Sequence, residues 1–348
     1  MKIATRLVEW QKQYGRHGLP WQSTRDPYRV WLSEIMLQQT QVATVLPYYA
    51  TFLSAFPNVT ALAQAPEQKV MSLWAGLGYY ARARNLHACA KAVVQHWGGS
   101  FPNTAAALAT LPGIGPSTAA AIAAFCFGER ISILDGNVKR VLARYFAIEG
   151  DPSKKAVETQ LWDKARKEVP SEAQARKDPL IMTPYTQGLM DLGATVCTRN
   201  KPDCRRCPLQ KGCEAYRQGR TQEFPTAKAR KVLPEKSTTM LIVHCKGKLM
   251  LEQRPLQGIW GGLWSLPELS SETNSQQYFV SKNIAIKEPQ KLASFVHAFT
   301  HFKLIIHPVL IEAKKNHSSW VKVYDIAQYG LPTPVKKILT GLIDQNLI

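Results

Sequence analysis

The chain has 348 residues, more than one hydrophobic core usually serves, and 45% of them are apolar, so composition points to two or more folded domains and away from disorder. Lys plus Arg outnumber Asp plus Glu by 44 to 25, a formal charge of +19, which suits a polyanionic partner: nucleic acid first, an anionic membrane surface second. The longest wholly apolar run, Ala119 to Phe127, has nine residues, far short of the roughly 20 that a bilayer-spanning helix needs, and Arg6 and Glu9 break the start where a signal peptide is apolar, so a soluble, cytoplasmic protein is expected.

From Lys2 to about Tyr216 the apolar residues recur at helical spacing, as in Val42, Val45, Leu46 and Tyr49, or Val138, Val141, Leu142 and Tyr145, and this region reads as all-α. Punctuation at Gly98-Gly99, at Leu111 to Pro116 and at Asp151-Pro152 predicts short helices joined by tight turns. The first candidate for chemistry is Glu34, set among Trp31, Ile35 and Leu37. On an exposed face it would be an ordinary solvated acid. Buried, its pKa would rise; moving it from about 4.3 to between 6 and 7, where it becomes a general acid at neutral pH, takes roughly 3 kcal/mol.

Next comes Leu111-Pro-Gly-Ile-Gly-Pro-Ser-Thr118, a junction between two helices with glycines at its turn. Gly113 and Gly115 would let backbone N–H groups approach a phosphate at the start of the second helix, where the dipole also favours an anion. In Leu134-Asp-Gly-Asn-Val-Lys-Arg-Val141, Asp135 precedes a basic amphipathic helix. It suits an N-cap, and it equally suits a carboxylate held ionised by the free N–H groups to face a developing cation. Two carboxyls with pKa values pushed apart are the pattern of glycosidic bond cleavage.

Four of the seven cysteines lie within 17 residues, as Cys197-x6-Cys204-x2-Cys207-x5-Cys213. An odd total in a chain with no secretory signal argues for a metal site over disulfides, and four thiolates serve zinc or an iron-sulfur cluster alike. Cys89, Cys126 and Cys245 stand singly among apolar residues and read as small buried side chains. Arg199, Lys201, Arg205, Arg206 and Lys211 flank the four ligands and could rest on DNA phosphates. Residues 217–236 read as a basic linker, with prolines at 225 and 234. Beyond it, residues 237–348 read as an α+β domain: a hairpin of Thr238–His244 and Lys248–Glu252, strands at Lys291–Ala298, Lys303–Ile311 and Trp320–Tyr324, and helices near Ser275–Lys282 and at the C-terminus.

Glu34 within WLSEIMLQQTQV, Gly76-Leu-Gly-Tyr-Tyr80, the LPGIGPSTA hairpin, the LDGNVKRV helix and the four-cysteine tail, in this order, resemble the helix-hairpin-helix DNA glycosylases, and within them the MutY type. Pro255 to Trp264 and Phe299-Thr-His301 carry the resemblance into the second domain, so it covers nearly the whole chain. It implies an all-α glycosylase region over 1–216, a linker, and a Nudix-like domain over 237–348. It also implies a monomeric bacterial enzyme at the nucleoid, making no membrane contact, that removes adenine opposite 8-oxoguanine or guanine in double-stranded DNA. On the four cysteines it implies one 4Fe-4S cluster. Glu34 would protonate the adenine, Asp135 would stabilise the oxocarbenium-like sugar and Asn137 would orient the site, once the base has left the stack at a cost of a few kcal/mol. Gln39 and Tyr79 would hold the duplex open, and Phe299, Thr300 and His301 would inspect 8-oxoguanine, with Thr where the family often has Ser. The second domain carries no acidic Nudix-type metal motif, so nucleotide hydrolysis is not expected. The alternatives are an endonuclease III-like glycosylase/lyase, which has Lys where Ser117 stands here, and a non-catalytic iron-sulfur DNA-binding protein. Lys139 reads as a phosphate contact.

Overall fold

The computed structural model describes residues 3–228, 232–269 and 275–348. It divides into two compact units: Met1–Ala63 with Ala88–Ala229, and Gln64–His87 with Arg230–Ile348.

The first unit is helical, as its 3.6-residue periodicity requires. Helix Ile3–Tyr14 packs on Met182–Asp191, so closely that a Cβ on Gly188 would lie 2.9 Å from Leu7 Cγ. Around that pair one apolar core collects Ala120 and Ala124, Val138 and Leu142, Leu161, Leu189 and Leu209, and so ties the hairpin, the Asp135 helix and the cysteine loop to a common interior. Helix Pro27–Leu37 starts where the sequence provides both start signals, a Pro at the first turn and Asp26, whose carboxylate accepts from Tyr28 N at 2.9 Å. The expected helix-hairpin-helix is present. Ala105–Leu108 is capped by Thr104, the chain turns through Gly113 at φ +76°, and Pro116–Ile122 leaves Gly115. That helix widens into a π-helical turn at Ala123–Phe127 and stops at Gly128, φ +71°. A second π-helical turn, Leu192–Val196, extends Met182–Asp191 toward the cysteines.

In the second unit β1 (Glu235–Cys245), β2 (Lys248–Leu249), β3 (Glu252–Gln253), β4 (Trp264–Ser265), β5 (Glu268–Leu269), β6 (Gln290–Lys291), β7 (Phe295–Ala298), β8 (Lys303–Glu312) and β9 (Val321–Lys322) follow in chain order. The main sheet runs β6-β8-β1-β2-β9, with β5 on β1 and β7 on β8, while β3 and β4 pair separately. The expected hairpin exists, His244 facing Leu249 and Cys245 facing Lys248. Its second arm is shorter than periodicity suggested, because the chain leaves the sheet after Leu249 and Glu252–Gln253 pairs with Trp264–Ser265 instead. Likewise the single strand expected over 291–298 is two, β6 and β7, both antiparallel to β8. The parallel pairing of β1 with β8 is the spine of this unit. Helices Ser275–Ser281 and Thr333–Asp344 stand where the pattern placed them. Helix Glu67–Trp74, though it precedes the hairpin in sequence, packs here on the turn Val323–Gln328. Of the expected linker 217–236, residues 229–231 lie outside the described residues, and β1 already begins at Glu235.

Candidate active site

Within the helical unit lies a cavity of about 1540 Å³, bordered by Glu34, Gln38, Gln39, Ser117, Thr118, Asp135, Asn137, Arg140, Gln187 and Arg199, with Arg16, Trp21 and Arg25 also in its lining. Helix Pro27–Leu37 packs on the second helix of the hairpin and turns Trp31, Leu32, Ile35 and Met36 into the core. Glu34 is left facing the cavity from an apolar wall. Burial, and after it the charge of Asp135, push its carboxyl from 4.5 up to about 8.

Asp135 caps helix Gly136–Tyr145 by accepting from Val138 N at 2.8 Å. Asp135 is thus an N-cap, and it also borders the cavity. The N–H groups expected to hold it ionised are opposed by burial. Burial raises its pKa above the ordinary 3.8, and the N–H groups of Val138 and Asn137 with the charges of Arg140 and Lys139 offset only part of that rise. These donors and cations favour the Asp135 anion, and negative charge on Asp135 in turn raises Glu34.

Asn137 lies against Gly193, where a Cβ would come within 2.6 Å of the Asn137 Cβ, so only glycine lets the π-helical turn approach the Asp135 helix this closely. Arg140 spans the gap: its guanidinium donates to Asn137 Oδ1 at 2.8 Å, to the Gly193 carbonyl at 2.6 Å and to the Cys197 carbonyl at 2.8 Å. One turn on, the buried Arg144 donates to the carbonyls of Thr198, Arg199, Thr221 and Phe224 at 2.7 to 2.9 Å and to Cys197 Sγ at 3.4 Å. Cys197, Cys204, Cys207 and Cys213 are all free thiols around one small pocket under this arginine. Burial, with the neighbouring thiols adding to it, pushes Cys207 up to about 12. Sequence reasoning missed both arginines. Their signal was a charge recurring at 140 and 144 on a helix whose 138, 141 and 142 positions are core. It also missed Asp191, fully buried, which accepts from Arg16 N and Nε at 2.9 and 2.7 Å and so fixes the cavity wall.

The remaining candidates are distributed as follows. Gln39 lines the cavity in a left-handed conformation, φ +57°, between two helices and not as a cap; the cap is Gln41. Gly113 needs its glycine for φ, whereas a Cβ on Gly115 would meet nothing within 4 Å, so that position leaves open space above the helix start. Ser117 Oγ accepts from Leu134 N at 3.0 Å and pins the hairpin to the Asp135 segment. Lys139 pairs with Glu158 at 2.7 Å. Arg199 and Lys201 are exposed beside the cysteines.

In the second unit Tyr79 is 42% exposed at φ +51°, not a core tyrosine, and the Arg82 guanidinium lies 5.3 Å from its ring centre. Phe299, Thr300 and His301 form the tight turn from β7 to β8, closed by Phe299 N donating to the Phe302 carbonyl at 2.8 Å. The Phe299 ring stacks on Phe302 at 4.5 Å, while Thr300 and His301 face solvent.

Residues 32–167 match the family described as HhH-GPD superfamily base excision DNA repair proteins, and residues 238–341 match the NUDIX domain. An adenine DNA glycosylase of Buchnera aphidicola subsp. Baizongia pistaciae is 38% identical over 344 residues, covering 97% of this chain and 95% of that protein. A human adenine DNA glycosylase is 35% identical over 364 residues, 86% of this chain and 64% of that one. A thermostable thymine-DNA glycosylase structure superposes with a TM-score of 0.54 at 28% identity, over 62% of this chain and 95% of that one.

Proposed function

Because the chain belongs to the adenine DNA glycosylases, DNA N-glycosylases of base excision repair, we propose that it excises adenine opposite 8-oxoguanine or guanine from double-stranded DNA by hydrolysis, without lyase chemistry. One observation carries the reading: a carboxyl raised to about 8 and a helix-capping carboxylate border the same cavity. Glu34 delivers its proton to the flipped adenine as the bond from C1′ to the purine breaks, and Asp135 meets the positive charge developing on the sugar. Water then adds to C1′, and its proton returns to the vacant Glu34 carboxylate. Asn137, held by Arg140, orients the Asp135 side of the site. Ser117 supports hydrolysis over lyase action, since a hydroxyl forms no Schiff base and this one is committed to Leu134 N.

The residues 1–216 act as the glycosylase region and 237–348 as the reader, joined by the basic segment 217–236. The turn Phe299–His301 inspects the oxidised guanine, with the Thr300 hydroxyl as donor, while Gln39 and Tyr79 hold the duplex open. Gly113, Gly115, Lys139, Arg199 and Lys201 take phosphates, Lys139 by giving up Glu158. Cys197, Cys204, Cys207 and Cys213 hold a 4Fe-4S cluster. In support, four free thiols border one pocket. Bound there, the cluster supplies iron–thiolate bonds that draw the loop together. Arg144 does the rest from the protein side, gripping the loop backbone. Among the described residues no helix is long and apolar enough to cross a membrane. The chain works on DNA as a monomer in the bacterial cytoplasm.

The test is a labelled duplex carrying adenine opposite 8-oxoguanine, beside adenine opposite guanine and thymine glycol opposite adenine, each with and without hot alkali. Strand scission at adenine only after alkali is expected. Scission at thymine glycol without alkali would move the chain to the lyase branch, and an intact strand everywhere would leave a binding protein.

A further inference from the structure

Pro255 to Trp264, a motif that catalysis leaves without a role, lies between two elements that the proposed function uses. Tyr79 and the turn Phe299–His301 belong to one compact unit. On one side, Arg82 donates to the Leu77 and Gly78 carbonyls at 3.4 and 3.3 Å, and its guanidinium lies over the Tyr79 ring, so the left-handed turn that presents Tyr79 is anchored to the start of helix Ala81–Trp97. Two residues along that helix, Arg84 Nη1 donates to the Gly261 carbonyl at 2.5 Å. On the other side, the neighbouring Trp260, itself at φ +54°, places its ring 5.3 Å from Phe299. The backbone between them has no slack: a Cβ on Gly261 would lie 2.2 Å from the Leu256 carbonyl oxygen.

We propose that Arg84 is a positioning residue that joins Tyr79 to the lesion-reading turn through Gly261 and Trp260, and that it thereby contributes to the preference for 8-oxoguanine over guanine opposite adenine. This rests on the reading of Phe299–His301 as the inspecting turn and of Tyr79 as the wedge. A base seated against Phe299 fixes Trp260. The Arg84 hydrogen bond transmits that position to helix Ala81–Trp97, which the Tyr79 turn leads into, so the wedge is placed correctly when the reader is occupied. Small displacements of such groups cost large factors in rate. The link touches neither Glu34 nor Asp135, so it bears on discrimination and not on the chemical step.

The experiment measures single-turnover excision by the full-length protein from duplexes with adenine opposite 8-oxoguanine and opposite guanine, for the unmodified chain, Arg84→Gln, Arg84→Lys, Thr300→Ala and the Arg84→Gln/Thr300→Ala double variant. The ratio of the two rates is expected to fall about tenfold in Arg84→Gln, the loss of one charge-assisted hydrogen bond, with the guanine-opposed rate held. Arg84→Lys should recover part of the ratio, and the double variant should lose less than the product of the two single losses. Equal falls on both duplexes, an unchanged ratio in Arg84→Gln, or full additivity with Thr300→Ala would overturn the link. An unmodified chain with equal rates on both duplexes would remove the reader reading itself, and the link with it.

Discussion

Glu34 and Asp135 are drawn into a cavity and lifted in pKa by burial, whereas Thr300 and His301 project into solvent from a two-strand turn, with the Phe302 ring 4.8 Å from that of His301. The helical unit combines desolvation with hydrogen bonds that engage the cap, Asn137, Arg140 and Arg144. The mixed unit leaves its donors solvent-exposed on a short turn, where the Thr300 hydroxyl meets its neighbour His301 at 3.5 Å. Bond breaking needs groups whose proton affinity has been altered, and only a low-dielectric site alters it by several units. Inspection of a base edge needs donors that are placed but not spent.

That contrast can be broken first at the carboxyls. Asp135→Asn keeps an N-cap, so folding and duplex binding should persist while adenine excision falls by about a thousandfold, within the 10²–10⁴ range of positioned acid–base groups; unchanged single-turnover excision would remove Asp135 from the mechanism. Glu34→Gln should act at least as strongly. Next is the scaffold. Arg144→Met strands several carbonyls around the cysteine loop and should lower stability by about 3 kcal/mol or more, read from urea unfolding. A loss under 1 kcal/mol would mean that the loop is held elsewhere.

The pH profile sharpens the same point. Glu34 must be protonated, so the rate should fall as pH rises through about 8. Asp135 must be ionised, so the acidic limb should lie above the ordinary carboxylate value of 3.8. Folding stability follows the raised group: the Glu34 contribution is full below 4.5 and is lost as pH rises through about 8. An excision rate still climbing at pH 9 would contradict the assignment of the acid. The smallest effect belongs to the exposed turn. Thr300→Ala should reduce the preference for 8-oxoguanine about fivefold, with Thr300→Ser close to the parent, since one solvent-facing hydroxyl contributes about 1 kcal/mol. A drop shared equally by the guanine-opposed duplex would place Thr300 in folding instead of reading.

Much of this was legible in the sequence. The turn glycine at 113 and the amphipathic Asp135 helix are local devices, and each appears where its residues stand. The strands were less legible. Periodicity marks which residues alternate in burial, but the break between β6 and β7, and the departure of the chain from the sheet after Leu249, depend on which neighbour is available to pair. Arg144 was hidden for a similar reason: a buried guanidinium is tolerable only because carbonyls from 198, 199, 221 and 224 converge on it, and those are remote in sequence.

By itself, then, the order of residues determined the helical character of the first region, the turns, the charge that suits DNA, the four-thiol set and the placing of Asp135 at a helix start, because each depends on near neighbours or on composition. Tertiary structure alone decided that Glu34 shares a cavity with Asp135 and is raised to about 8, that Arg140 reaches from Asn137 to Cys197, and that residues 64–87 group with the second unit. These are matters of dielectric and of meeting points between distant segments, and no local pattern encodes either.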